Sequence, residues 1–185
     1  MCLRSGWAAA GIGIVRHFTR PDVHPYETVT WERRDARITN WKDGSVAFEQ
    51  LDVEVPSTWS FNATNILAQK YFRGTLGTLE RESSLRQVAD RVVDTITGWG
   101  MKDGYFLDEE EAETFRAELK YLIVHQKAAF NSPVWFNIGV KGVPQQGSAC
   151  FILAVDDSMD SILNWYREEG TIFKGGSGAG VNLSK

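Results

Sequence analysis

SACFILAVDDSMDSILNWYREEGTIFKGGSGAGVNLS, residues Ser148 to Ser184, decides how the carboxyl-terminal part of this chain folds. The apolar run from Ser148 to Val155 has strand length and the composition of a strand buried on both faces. Met159, Ile162, Leu163, Tyr166 and Phe173 then recur at helical spacing. Glycines follow, and GVNLS starts a second strand. Strand, helix, glycines, strand is the opening of a βαβ unit in a parallel sheet. One such unit closes neither a sheet nor a barrel, so the α/β part is expected to be unfinished within these residues.

The same stretch carries the candidate chemistry. Gly175, Gly176, Gly178 and Gly180 fit neither GxGxxG nor a P-loop ending in GK[ST]. They leave a backbone free to adopt positive φ and approach a ligand, or a flexible connection. Cys150 reads by default as a small buried hydrophobe; reactivity would need a thiolate-stabilising neighbourhood or a second thiol. The other of the two cysteines, Cys2, is remote in sequence. Asp156, Asp157 and Asp160 open the helix, where acids serve as caps but also hold a hydroxyl or a metal. Local reading leaves these pairs of alternatives open.

Working outward, Pro133 is expected to end a long helix, with residues 131–147 a loop-like passage rich in glycine and proline. That helix opens at Asp108 with an acidic first turn suited to the positive helix end, and its inward stripe would be Phe115, Leu119, Leu122, Ile123, Gln126 and Phe130. Before it, Ser84 caps a stripe of Leu85, Val88, Ala89, Val92, Val93 and Ile96 that Gly98 closes. Ser60 caps a further helix stopped by Gly74. Earlier still, residues 27–38 and the alternating Val46, Phe48 and Leu51 read as two strands joined by a turn at Asp43-Gly44.

Composition narrows the function classes. A 43% hydrophobic, 24% charged chain with seven tryptophans and ten phenylalanines is ordinary for a globular protein with a packed interior. A net charge of −4 offers no basic face for nucleic acid. No apolar stretch approaches the roughly 18 residues of a membrane span, and the glycine-broken start lacks a signal-peptide cleavage site, so a cytoplasmic location is expected. His17, His24 and His125 are scattered and read as structural, and no Cys/His cluster has metal-ligand spacing.

Four motifs occur in order: Asn131-Ser132-Pro133 after a long helix, a QQ-x-SACF strand, DDSMDSI opening a helix, and KGGSGAGVNLS. Together with RHFTRPDVHPYETVTWERRDARITNWKDGSVAFEQ and NILAQKYFRG upstream, they resemble the early part of the catalytic chain of class II ribonucleotide reductases, which use adenosylcobalamin. The likeness runs from about Ile14 to Lys185.

The resemblance implies an α/β fold: a mainly helical amino-terminal domain at 16–130, then at 131–185 the first strand-helix-strand of a ten-stranded barrel. Residues 1–15 would be unstructured or a mis-assigned start. It makes Cys150 one thiol of a redox pair that reduces the ribose, with Ser132, Ala149, Cys150 and Gly178 at the substrate. Asp157, Ser158 and Ile162 fall at a deoxynucleoside triphosphate effector site on a homodimer interface. Implied partners are a ribonucleoside diphosphate, a thioredoxin-like reductant and the remainder of a reductase chain. The thiyl-radical cysteine, the partner of Cys150 and most of the cobalamin site would lie in later segments. The chain alone is therefore expected to be an inactive amino-terminal piece. The alternative expectation is a nucleotide-binding regulatory module without chemistry.

Overall fold

Alternation on either side of Asp43-Gly44 produces the expected hairpin: β1 (Trp31–Thr39) pairs antiparallel with β2 (Val46–Pro56), and Gly44 takes φ +73° in the turn. Its register is irregular at two places, Arg34/Ala36 and Ile38/Thr39, and the first decides which side chains are buried. Arg34 stands opposite Val53 but Ala36 opposite Gln50, so β2 carries an extra residue against Asp35. Asp52 sits there at φ 60°, its N–H bonded to Asp35 Oδ1 at 3.1 Å. The bulge reverses the in–out alternation of β2. Gln50 is buried on one side of it, Val53 and Val55 on the other.

The computed structural model describes residues 11–184, which divide into units of 11–129 and 130–184. In the first unit the caps fall where the sequence puts them. Ser60 accepts from the Ala63 N–H and opens α1 (Phe61–Ile66), which continues as a π-helical turn, Leu67–Tyr71. Ser84 and Gln87 form a capping box on α2 (Leu85–Lys102), and Asp108 accepts from the Glu111 N–H at the start of α3 (Glu109–Val124).

Three expectations need correction. Gly98 does not close α2; the helix continues through it, and Gly100 is the required glycine, since a Cβ there would stand 2.5 Å from the Phe106 ring. Pro133 does not end α3, which stops at Val124, two residues before Gln126 turns left-handed at φ 55°. The buried face of α3 is Ala112, Thr114, Ala117, Lys120, Ile123 and Val124, so of the expected stripe only Ile123 is buried. Lys120 sets that face: its ammonium reaches Asp90 at 2.6 Å and Asp94 at 2.9 Å on α2, and an apolar reading of the helix misses a lysine.

The core of this unit is aliphatic, with Val53, Val55, Val88, Val92, Val93, Val124 and Phe72 buried. Buried Arg34 donates to the Ser57 and Trp59 carbonyls and to Thr64, buried Glu82 pairs with Arg91 at 2.7 Å, and half-buried Arg81 donates to the carbonyls of Ala68, Phe72 and Gly74 in and after the π turn.

The second unit opens on a helix, not on the expected loop. Pro133 lies in the first turn of α4 (Ser132–Asn137), where its missing N–H costs nothing. The passage to the next strand is knotted by the amide of Gln145, which accepts from the Gly139 N–H and donates to the Asn137, Val140 and Val143 carbonyls. Then β3 (Cys150–Leu153), α5 (Met159–Lys174) and β4 (Gly178–Val181) form the expected βαβ unit with β3 and β4 parallel. The chain is thus mixed helix and strand, with no closed barrel among the described residues.

Candidate functional site

The expectation that the Ser148–Val155 strand is buried on both faces is not met. β3 is shorter, and its exposed and half-buried residues alternate from Cys150 to Leu153; Ile152 is 92% exposed. Register pairs Cys150 with Gly178 and Ile152 with Gly180, so these four share the outward face of the two-stranded sheet. Phe151 and Leu153 alternate to the other face, where Leu153 borders a hollow with Arg167 and Thr171 of α5.

Cys150 is a free, exposed thiol, contrary to the default of a buried small hydrophobe. Its neighbour across the sheet has no side chain. A Cβ on Gly178 would meet only the Ala149 carbonyl oxygen, at 3.9 Å, so among the described residues no other atom stands within 4 Å of that position across from Cys150. Ala149 holds the pair in register by accepting the Gly178 N–H at 2.9 Å. The glycines expected as one loop are therefore split: Gly175 and Gly176 end α5, the latter at φ +81°, whereas Gly178 and Gly180 are strand residues. Ser177 locks the junction by donating to the Ser148 carbonyl at 3.0 Å. Three of the four expected substrate residues, Ala149, Cys150 and Gly178, are thus brought together; Ser132 stands at the first turn of α4.

The expected effector residues gather at the carboxyl ends of the strands. Asp157 and Ile162 line a hollow of about 400 Å³ with Val155, Asp156, Asn182 and Ser184. This is where parallel α/β units place ligands. The acids do not cap the helix: Ser158 does, accepting from the Ser161 N–H at 3.3 Å, while Ser161 Oγ accepts from the Asp156 N–H at 2.8 Å. The cap frees Asp157 from that duty and engages Ser158 in it. Asn182 was not singled out from sequence; its one legible signal is an Asx turn, Oδ1 accepting from the Ser184 N–H at 3.0 Å.

Among the described residues no group of three His, Cys, Asp or Glu could hold a metal, and no helix is long and apolar enough to cross a membrane. Two of the three histidines make local contacts: His24 Nδ1 accepts from the Tyr26 N–H, and His125 stacks on Tyr121 at 4.0 Å and bonds Thr28. Cys2 lies outside the described residues.

Comparison with known proteins bears on this arrangement directly. The family model of class II vitamin B12-dependent ribonucleotide reductases matches residues 32–126, and the ribonucleotide reductase barrel domain matches 148–185. Relatives described as vitamin B12-dependent ribonucleotide reductase include those of Streptomyces coelicolor (58% identical over 178 residues, 96% of this chain) and Streptomyces avermitilis (59% over 180, 97% of this chain). That of Rhodopirellula baltica is 42% identical over 188 residues, covering 86% of this chain. The chain spans only 18–19% of the length of these relatives. With a family model across its helical unit, the barrel-domain match on its βαβ unit and relatives aligned over nearly all its residues, the chain belongs to the class II vitamin B12-dependent ribonucleotide reductases.

Proposed function

We propose that this chain supplies the amino-terminal domain (16–130) and the first strand-helix-strand (131–185) of a ten-stranded α/β barrel in a ribonucleoside-diphosphate reductase, and that it makes no deoxynucleotide alone. The observation that carries this reading is the exposed Cys150 thiol facing an empty Gly178 on the open sheet face. In this reading a ribose would approach the open sheet face beside the sulfur, which its strand holds in place. In the proposed reaction two thiols give two electrons and two protons. The 2′-hydroxyl leaves as water, hydrogen replaces it, and the thiols end as a disulfide. Cys150 is one of them; the other comes from the remainder of the reductase chain, and a thioredoxin-like dithiol restores the pair. Ser132 and the backbone of α4 and β3 supply donors suited to the substrate phosphates.

Adenosylcobalamin supplies the radical chemistry in this family. The hollows bordered by Asp157 and by Leu153 measure about 400 and 340 Å³, each far smaller than a corrin with its nucleotide arm, so neither would be its seat. No step assigned to this chain runs through it. The exposed Met159, Leu163, Tyr166 and Phe173 on α5 support a homodimer seam beside the effector hollow.

The test places the substitution in a complete reductase chain. Cys150→Ser should lower deoxyribonucleotide formation more than about a thousandfold while effector binding persists. Turnover like that of the unaltered enzyme would refute the redox assignment. The second reading, a regulatory nucleotide module without chemistry, is favoured by the hollow around Asp157. Titration with deoxynucleoside triphosphates separates the two: saturable binding by this chain that Asp157→Ala abolishes, with Cys150 dispensable for turnover, selects the module.

A further inference from the structure

Residues 11–19 cross α3 as a segment held mainly by polar contacts. Ile12 is 55% and Val15 82% exposed. Two carboxylates, seven residues apart and hence on one face of α3, hold it instead. Glu111 Oε1 accepts from the N–H groups of Gly13 at 2.5 Å and Ile14 at 2.9 Å, while its Oε2 accepts from Leu107 at 2.6 Å. Glu118 Oε1 accepts from the N–H groups of His17, Phe18 and Thr19 at 3.1, 3.1 and 2.8 Å and from the Thr19 hydroxyl at 2.6 Å. Further contacts add to the attachment: the Ile12 N–H donates to the Tyr105 carbonyl at 2.9 Å, and the Phe18 ring stacks on Tyr121 at 5.4 Å with the Lys127 ammonium 5.3 Å from its centre. Gly11 permits the close approach, since a Cβ there would stand 1.9 Å from Glu111 Oε2. Beneath the segment lies a hollow of about 420 Å³ that reaches Leu107 and Thr114.

We infer that residues 11–19 are a detachable strap, fastened by the Glu111 and Glu118 carboxylates, which opens and bares the start of α3 while the core of the unit stays folded. Charge-assisted bonds to backbone are strong but few, and only the half-buried Ile14 and the Phe18 ring add apolar contact, with no strap side chain fully buried, so local opening is easier than global unfolding. The aliphatic core that packs β2 and α2 contains no strap residue.

Hydrogen exchange of the full chain, read peptide by peptide, tests this. Strap amides should exchange at a rate insensitive to low urea, the mark of local opening, whereas amides of α2 should respond steeply. Glu118→Ala should accelerate exchange of residues 13–19 at least about tenfold and leave α2 unchanged. Glu111→Ala should do the same for Gly13 and Ile14, and Glu110→Ala, a neighbouring acid outside the clasp, should do neither. Equal urea dependence of strap and α2, or a strap unaffected by both clasp substitutions, overturns the inference.

Discussion

Phe72 and Leu163 are both large apolar side chains, yet one is 2% exposed and the other 59%. The contrast extends to their units. Within residues 11–129 the amphipathic pattern is answered by the chain's own residues: valines from β2, α2 and α3 are covered, and Arg34, Glu82 and Lys120 are buried with partners. Within residues 130–184 the pattern is equally clear, but α5 has no buried residue and the outward face of β3 stands open. Amphipathic spacing reports a face that requires cover; it does not say whose atoms provide it. The open faces are also those that carry the candidate thiol and effector residues.

This contrast can be broken or sharpened experimentally. Its largest expression is core truncation: Phe72→Ala should cost about 3–5 kcal/mol in urea denaturation of this chain, whereas Leu163→Ala should cost under about 0.5 kcal/mol. Equal costs would erase the distinction. Next, Glu82→Ala removes the carboxylate from an Arg91 side chain only 11% exposed and should cost about 3 kcal/mol; Glu168→Ala on exposed α5 should be nearly silent in the same assay.

Acid should act on the first unit through its clasp. The Leu107 and Ile14 N–H groups hold Glu111 below its ordinary value of 4.5. Burial pushes Glu118 up, but the Thr19 hydroxyl and the N–H groups of Phe18, Thr19 and His17 outweigh it and hold its carboxyl low. Both groups therefore take up protons more readily when released. Their contribution is complete above about pH 4.5 and lost as the pH falls through the lower folded values. Strap protection factors, corrected for the intrinsic pH dependence of amide exchange, should fall between pH 7 and below pH 4, and Glu118→Gln should abolish that change for residues 17–19 while leaving it at Gly13 and Ile14. The smallest expected effect is a gain: Gln126→Gly relieves the left-handed residue after α3 and should stabilise the unit by about 0.5–1 kcal/mol in thermal unfolding.

What was legible in the sequence was local. Ser60, Ser84 and Asp108 cap their helices because a cap needs only its next three residues, and the Asp43-Gly44 turn joins the hairpin for the same reason. The buried face of α3 was not legible, because Lys120 is drawn inward by Asp90 and Asp94 from another helix. Nor was the role of Gln145, whose four partners are the last residue of α4 and three residues of the loop after it. At the candidate site, the residue types of Cys150 and Gly178 were readable, but their pairing depends on strand register. Asn182 joined Asp157 only when both strand ends converged on one hollow.

The bulge at Asp52 has a consequence for how the hairpin tolerates change. The extra residue uncouples the base of the hairpin, which packs into the core, from its solvated tip beyond Ala36 and Gln50. Shortening the tip by a matched pair of residues, one from each strand, preserves the alignment at the base. Removing the single residue Asp52 would erase the bulge and leave Gln50 opposite Ala36, whereas removing Asp35 from β1 would turn Ala36 out of the core and Arg37 towards it. The hairpin can thus give up its extra residue on β2 while remaining intolerant of a one-residue slip in β1.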